Sequence, residues 1–222
     1  MLTLAPPWLE MDLGEDMCVL SWSLNRPGYV TARRILWREV RNADLPADMD
    51  VGAWLDRELA TRGAQDAVVL LTSRDIRAFH TARATVGDVT VDVTATVGLS
   101  NAERVGARVD YSNRNWGTIN LAARLSQGLS DAGLLEAVSI ATQARTAAVM
   151  DAEYDLPTGR ATGTGTDCIA VASPPGSQAF AGLHTETGEA LGRAVYDAIA
   201  DGIAQWKAKV FRGNKDIEEG AV

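Results

Sequence analysis

Thiols, imidazoles and ammonium groups are scarce in this chain. Its 222 residues include two cysteines and two histidines, and Cys18 and Cys168 lie far apart with no Cys-x-x-Cys spacing. That pattern argues against a disulfide framework and a structural zinc site, and both thiols are expected to be reduced. The lysines, Lys207, Lys209 and Lys215, all fall near the C-terminus, which argues against a Schiff-base or phosphate-loop lysine beside any motif discussed below. Basic residues are outnumbered, 21 Lys+Arg against 29 Asp+Glu for a formal charge of −8, so the surface field repels nucleic acid and anionic lipid. No apolar run approaches the roughly eighteen residues of a membrane span. The opening MLTLAPPWLEMDLGED is acidic, with Pro6 and Pro7 where a signal peptide needs basic and apolar regions. A cytoplasmic location follows as the expectation.

What the chain does have is the composition of a folded protein, 46% hydrophobic and 23% charged residues. One domain over 1–222 is expected, with about 212–222 as a frayed tail. Short β-like runs, MCVLSW at 17–22 and RRILWREV at 33–40, flank the turn-forming Asn25-Arg26-Pro27-Gly28. From Asp50 the apolar spacing turns helical and stops at Gly63. AVVLLT at 67–72 reads as a buried strand, and HTARATV and DVTVDVTATV around Gly87-Asp88 read as a hairpin. GTINLAARLS at 117–126 is a further strand, Asp131 to Asp151 a helix, and the segment opened by HTETGE a second long helix with Thr185 or Thr187 as its cap. The fold class predicted is α+β, a mainly antiparallel or mixed sheet with amphipathic helices packed on one face.

The run ATGTGTD at 161–167 stands apart, because glycine weakens a strand and leaves nothing to pack. If it is extended, Thr162, Thr164 and Thr166 share one face, and Gly163, Gly165 and Asp167 the other. If its glycines take positive φ, its N–H groups form a concavity for an anion or an oxyanion. A solvated glycine-rich turn is the plain alternative.

Elsewhere, His184 opens a helix, a place that disfavours the imidazolium and keeps the ring available as a base. Ser100, Asp167 and His184 fall in the chain order of an α/β-hydrolase triad, but GLSNA lacks the closing glycine of the nucleophile elbow and the strands before it read as a hairpin. Asn101, Asn120, Gln143 and Arg145 complete the polar candidates. The last two interrupt an alanine-rich helix, where a polar group on the packed side needs a partner and one on the outer side needs none.

Taken in order, GLSNAERVG (98–106), WGTINL (116–121), ATQARTAAV (141–149), ATGTGTD (161–167) and AGLHTETGE (181–189) resemble the adenosylcobinamide amidohydrolase family of cobamide salvage. The resemblance spans about residues 17–200. It implies hydrolysis of the amide joining aminopropanol, free or nucleotide-bearing, to the corrin ring, with adenosylcobyric acid as product. The corrinoid is then substrate rather than cofactor; neither cofactor nor metal is expected, and self-association is compatible with the sequence.

Within that frame Asp167, with His184, is the expected activator of water, and Thr164 or Thr166 acting as a covalent nucleophile is the variant. Gly163, Gly165 and Asn120 are expected to stabilise the oxyanion, while Asn101, Thr118, Glu186 and Gln143 contact substrate. Trp22 and Trp116 are candidate aromatic walls, with core packing as their alternative. Removing the Asp167 charge is expected to slow turnover with little effect on folding. Two stretches depart from the family pattern. Thr142 to Thr146 read TQART where the family block reads TEAKT, and an SxxxNGG-like stretch is altered from Ser21 to Gly28. Because glutamine cannot accept a proton at neutral pH, the alternative function is a catalytically inactive corrinoid-binding module.

Overall fold

A computed structural model describes residues 1–41, 44–46, 48–108 and 117–219, with side chains as far as Val210. The chain forms strands β1 (Leu2–Ala5), β2 (Trp8–Ser21) and β3 (Gly28–Glu39), helix α1 (Val51–Arg62), then β4 (Val68–Thr72), β5 (Phe79–Val86), β6 (Val89–Val97), β7 (Ala102–Glu103) and β8 (Ile119–Leu125). Helix α2 (Asp131–Asp151), short strands β9 (Asp155–Leu156), β10 (Gly159–Arg160) and β11 (Gly163–Thr164), strand β12 (Cys168–Ser173) and helix α3 (Glu186–Glu219) complete it. One eight-stranded sheet runs β4-β3-β2-β12-β8-β6-β5 with β1 paired to β2. The β3–β4 and β12–β8 pairs are parallel and the other pairs antiparallel, so the sheet is mixed.

Local signals explain the elements. Asp50 caps α1 by accepting from Ala53 N, and Gly63, at φ +66°, ends it in the left-handed conformation that a side chain resists. Ser130 caps α2 in the same way through Gly133 N, and Thr185 Oγ1 accepts from Gly188 N at the start of α3. The backbone of α3 continues to Glu219, past the point where the sequence predicts a frayed tail.

Alternation along the strands divides the core into two faces. Leu121, Ala123 and Leu125 of β8, with Ile169 and Val171 of β12, meet α2 and α3. Leu36 and Val69 meet α1 on the same side of the sheet. The opposite face carries Val19, Ile35, Trp37, Leu70, Ala122 and Ala170, all buried although among the described residues no α-helix covers them; the 3-10 turn Ile76–Ala78 adds only Ile76 to that cluster. They are covered because the sheet curls until distant strands touch across the concave side. The Asn120 side-chain amide donates to Leu71 O at 2.6 Å, and the Trp37 indole N–H donates to Asn120 O at 3.4 Å. A register shift between Asp12 and Met17 helps β2 bend. Among the described residues no helix is long and apolar enough to cross a membrane.

Candidate functional site

Direct pairing of β8 with β12 and with β6 sets the N-terminal ends of β8 and β12 beside the end of β6, and the threonine-glycine run lies there. It does not form the extended ladder or the nest that its composition suggests. Gly163–Thr164 pairs with Ala102–Glu103, and the chain then turns so that Thr164 meets the carboxylate of Asp167 three residues on. Neither Gly163 nor Gly165 has a positive φ. Thr162 instead secures the β7 loop, accepting from Val105 N at 2.8 Å and donating to Glu103 O at 3.3 Å.

Asp167 is the hub. Its Oδ1 accepts from Ile119 N at 3.1 Å and from the Thr164 hydroxyl, and its Oδ2 accepts from Thr164 N at 3.0 Å and pairs with Arg145 Nη1. Four donors on two oxygens suit an ionised carboxylate. The pair is shielded, with Arg145 and Asp167 side chains 12% and 7% exposed. Burial pulls the Arg145 guanidinium down to about 10, so it still carries its charge at neutral pH. Gly163 has a steric reason to be glycine: a Cβ there would run into Arg145 Nη1 and would lie 2.7 Å from Asp167 Oδ2. The Asp167 backbone carbonyl accepts from the Trp22 indole at 2.8 Å, and that ring is 48% exposed, which sets a flat apolar surface beside the pair rather than in the core.

A second layer fixes the turn. Thr118 Oγ1 donates to Thr166 O at 2.8 Å, Thr166 Oγ1 donates to Gly117 O at 3.0 Å, and Asn101 Nδ2 donates to Thr166 Oγ1 at 3.2 Å. Gly165 N donates to Asn101 O at 3.3 Å. Asn101 Oδ1 is buried with no hydrogen-bond partner.

Thus Thr164, Thr166, Asp167, Gly163, Gly165, Asn101 and Thr118 come together. Asn120 lies nearby, but its amide is spent on Leu71 O and its side chain is fully buried, so it ties the curled sheet rather than offering a donor to an oxyanion. His184 and Glu186 do not join the group. They follow β12, whose six residues span about 20 Å at strand rise, and Glu186 packs against Gly87 in the β5–β6 turn at the far end of the sheet. Expecting His184 beside Asp167 is corrected by that placement, and the Ser100-Asp167-His184 order has no spatial counterpart. Gln143 is exposed on α2 and donates to Ser139 Oγ at 3.1 Å, the outer-face outcome. Trp116 lies outside the described residues.

Arg145, a polar candidate to which the sequence assigns no role in the site, is the partner of Asp167. A signal for it was present: Ala141, Arg145, Ala148 and Val149 follow helical spacing onto one stripe, three of them buried. Among the described residues no group of three or more His, Cys, Asp or Glu side chains could hold a metal ion.

An adenosylcobinamide amidohydrolase of Halobacterium salinarum is 33% identical over 142 residues, which is 60% of this chain and 57% of that protein. The match therefore spans less than two thirds of the relative's length. Among solved structures, a Burkholderia sp. beta-aminopeptidase is 13% identical with a TM-score of 0.47, over 88% of this chain and 78% of its own. A Pyrococcus horikoshii OT3 protein is 12% identical with a TM-score of 0.46, over 89% and 77%. The profile of the adenosylcobinamide amidohydrolases matches residues 3–210, nearly the whole chain, and the protein belongs to that family.

Proposed function

We propose that the protein hydrolyses the amide joining aminopropanol to the corrin ring of adenosylcobinamide, releasing adenosylcobyric acid, with Thr164 as nucleophile and Asp167 as its proton acceptor. The observation that carries the assignment is the hydrogen bond from the Thr164 hydroxyl to Asp167 Oδ1. It directs the proton of Thr164 Oγ1 inward and leaves its lone pairs to face outward. Asp167 itself is poorly placed to meet water, since its side chain is shielded and four donors of its own chain already cover it. This favours the nucleophile over the water-activating variant.

In the first step Thr164 Oγ1 bonds to the amide carbon, the carbonyl electron pair moves onto oxygen, and the hydroxyl proton passes to Asp167 Oδ1. Collapse breaks the C–N bond, and the leaving amine takes that proton, leaving an acyl-threonine ester. Acylation takes the Thr164 hydroxyl off Asp167 Oδ1 and opens that oxygen to water; the water adds to the ester, Asp167 Oδ1 accepts its proton, and Thr164 leaves as the alcohol with the proton returned. Arg145 holds the Asp167 side chain in place and favours its ionised form between the two proton transfers. The exposed Trp22 indole suits the broad apolar face of a corrin, and the buried, unpaired Asn101 Oδ1 suits an N–H donor of the substrate.

The rival reading, an inactive binding module, rests on Gln143 and Arg145. Gln143 faces solvent, and Arg145 keeps the positive charge of the lysine it replaces, so neither departure removes a group from the hub. Incubating the purified protein with adenosylcobinamide and following product mass tests the activity. Thr164→Ala should lower turnover at least ~100-fold while Thr164→Ser keeps most of it. Wild-type turnover in Thr164→Ala would remove the nucleophile assignment, and no product from the wild type would remove the activity.

A further inference from the structure

On the other side of Gly117 from the threonine turn lies a hollow of about 340 Å³, bounded by Arg41, Arg74, Asp75, Ser100, Trp206 and Lys209. It shares a wall with the candidate site, because Gly117 O accepts the Thr166 hydroxyl, and a Cβ on Gly117 would lie 2.7 Å from Ser100 N and 3.2 Å from Asn101 Oδ1. Its charges are unevenly engaged. Asp75 accepts from Arg77 N and Arg77 Nη1 at 3.0 and 3.2 Å, and Glu39, also on the rim, accepts from Ile76 N at 3.2 Å. None of the three cations, Arg41, Arg74 and Lys209, forms an ion pair among the described residues.

Arg74 is the unusual member. Its Nε is buried with no partner, and Nη2 has only the Gln205 amide oxygen at 3.5 Å. Burial pulls its guanidinium below the ordinary arginine value. Asp75 opposes that pull without forming an ion pair with Arg74, so the guanidinium is only partly compensated, and its planar fork matches phosphate oxygens.

We propose that this hollow is an anion subsite for a phosphate ester, and that it lets the site accept corrinoids whose aminopropanol carries a phosphate. The second clause rests on the proposed activity, whereas the first does not. Arg74 would bind two phosphate oxygens through its fork, with Lys209 and Arg41 adding charge at the rim and Gly117 providing the close approach to the threonine turn.

Calorimetric titration of the wild type with inorganic phosphate should show saturable binding, weakened at least ~10-fold in Arg74→Gln and partly restored in Arg74→Lys. Lys209→Gln, at an exposed position with little risk to folding, should weaken it ~3-fold, and Arg83→Gln, on the β5 edge, should leave it unchanged. No saturable binding by the wild type, or equal binding by Arg74→Gln and Lys209→Gln, overturns the subsite. In a second arm, Arg74→Gln should raise KM about tenfold for adenosylcobinamide phosphorylated on its aminopropanol and leave KM for the unphosphorylated compound unchanged. Equal effects on both overturn the link to the substrate. If phosphate binds through Arg74 but neither compound is hydrolysed by the wild type, the subsite stands and the proposed activity falls.

Discussion

The Arg145–Asp167 pair should be a principal support of the fold around the threonine turn, and a double-mutant cycle measures it. Asp167→Asn places an amide where three hydrogen bonds and an ion pair now converge; whichever way it turns, one NH₂ face meets a donor, Thr164 N and Arg145 on one side or Ile119 N on the other. Arg145→Met keeps much of the side-chain volume and leaves a shielded carboxylate without its cation. Removing one partner of a buried pair costs about 3–5 kcal/mol, more than the pair itself contributes. For a chain of this length that loss lowers the melting temperature by about 2–4 °C per kcal/mol. The double variant should lose much less than the sum of the singles, because neither partner is then left buried and alone, giving a coupling of at least ~2 kcal/mol. Urea unfolding with unchanged m-values is the assay. Gly163→Ala gives an independent check, since its methyl group would displace the same two side chains. If either single variant loses under ~1 kcal/mol, or the coupling is indistinguishable from zero, the pair is not the support described here. The sequence-based expectation that Asp167→Asn leaves folding little changed is revised accordingly.

The remaining predictions concern neighbours of the hub. Burial pushes the Cys168 thiol up to about 12, so in the native protein at pH 8 it should resist iodoacetamide and react only after unfolding, as peptide mass mapping would show; rapid native labelling would refute this. Because the folded pKa lies above that of a free thiol, the folded state retains the proton longer. Stability should therefore fall as the pH rises from about 9 towards 12, and Cys168→Ala should flatten that part of the profile. Gln143→Glu and His184→Ala should each leave turnover of adenosylcobinamide within about twofold, since neither side chain reaches Asp167, and a loss beyond tenfold in either would place a missing group at the site.

The parts of the molecule legible in the sequence are those fixed by local chemistry. Asp50 and Gly63 bound α1 because one accepts a first-turn N–H and the other tolerates positive φ, and both requirements act within a few residues. The β5–β6 hairpin at Gly87 and the span of α2 were readable for the same reason. The oddity of ATGTGTD was also readable, but its geometry was not. Period-two alternation puts Thr164 and Asp167 on opposite faces, and only a turn closed by Thr118, Gly117 and Asn101, none of them local to the run, brings hydroxyl and carboxylate together. Asn120 shows the same limit from the other side. A buried amide near a site reads as an oxyanion donor until the curl of the sheet delivers Leu71 O to it, and that curl depends on contacts between strands that are not neighbours in the sheet. His184 follows Asp167 closely in sequence, yet β12 and the loop after it carry it the full height of the sheet. Arg145 was the one long-range partner with a local signature, a charge on the buried stripe of an alanine-rich helix. A charge so placed requires a counter-charge, and the carboxylate that closes the threonine-glycine run supplies it. The glycine of that run against which the pair lies is therefore explained by packing, and the hydroxyl that follows it by chemistry.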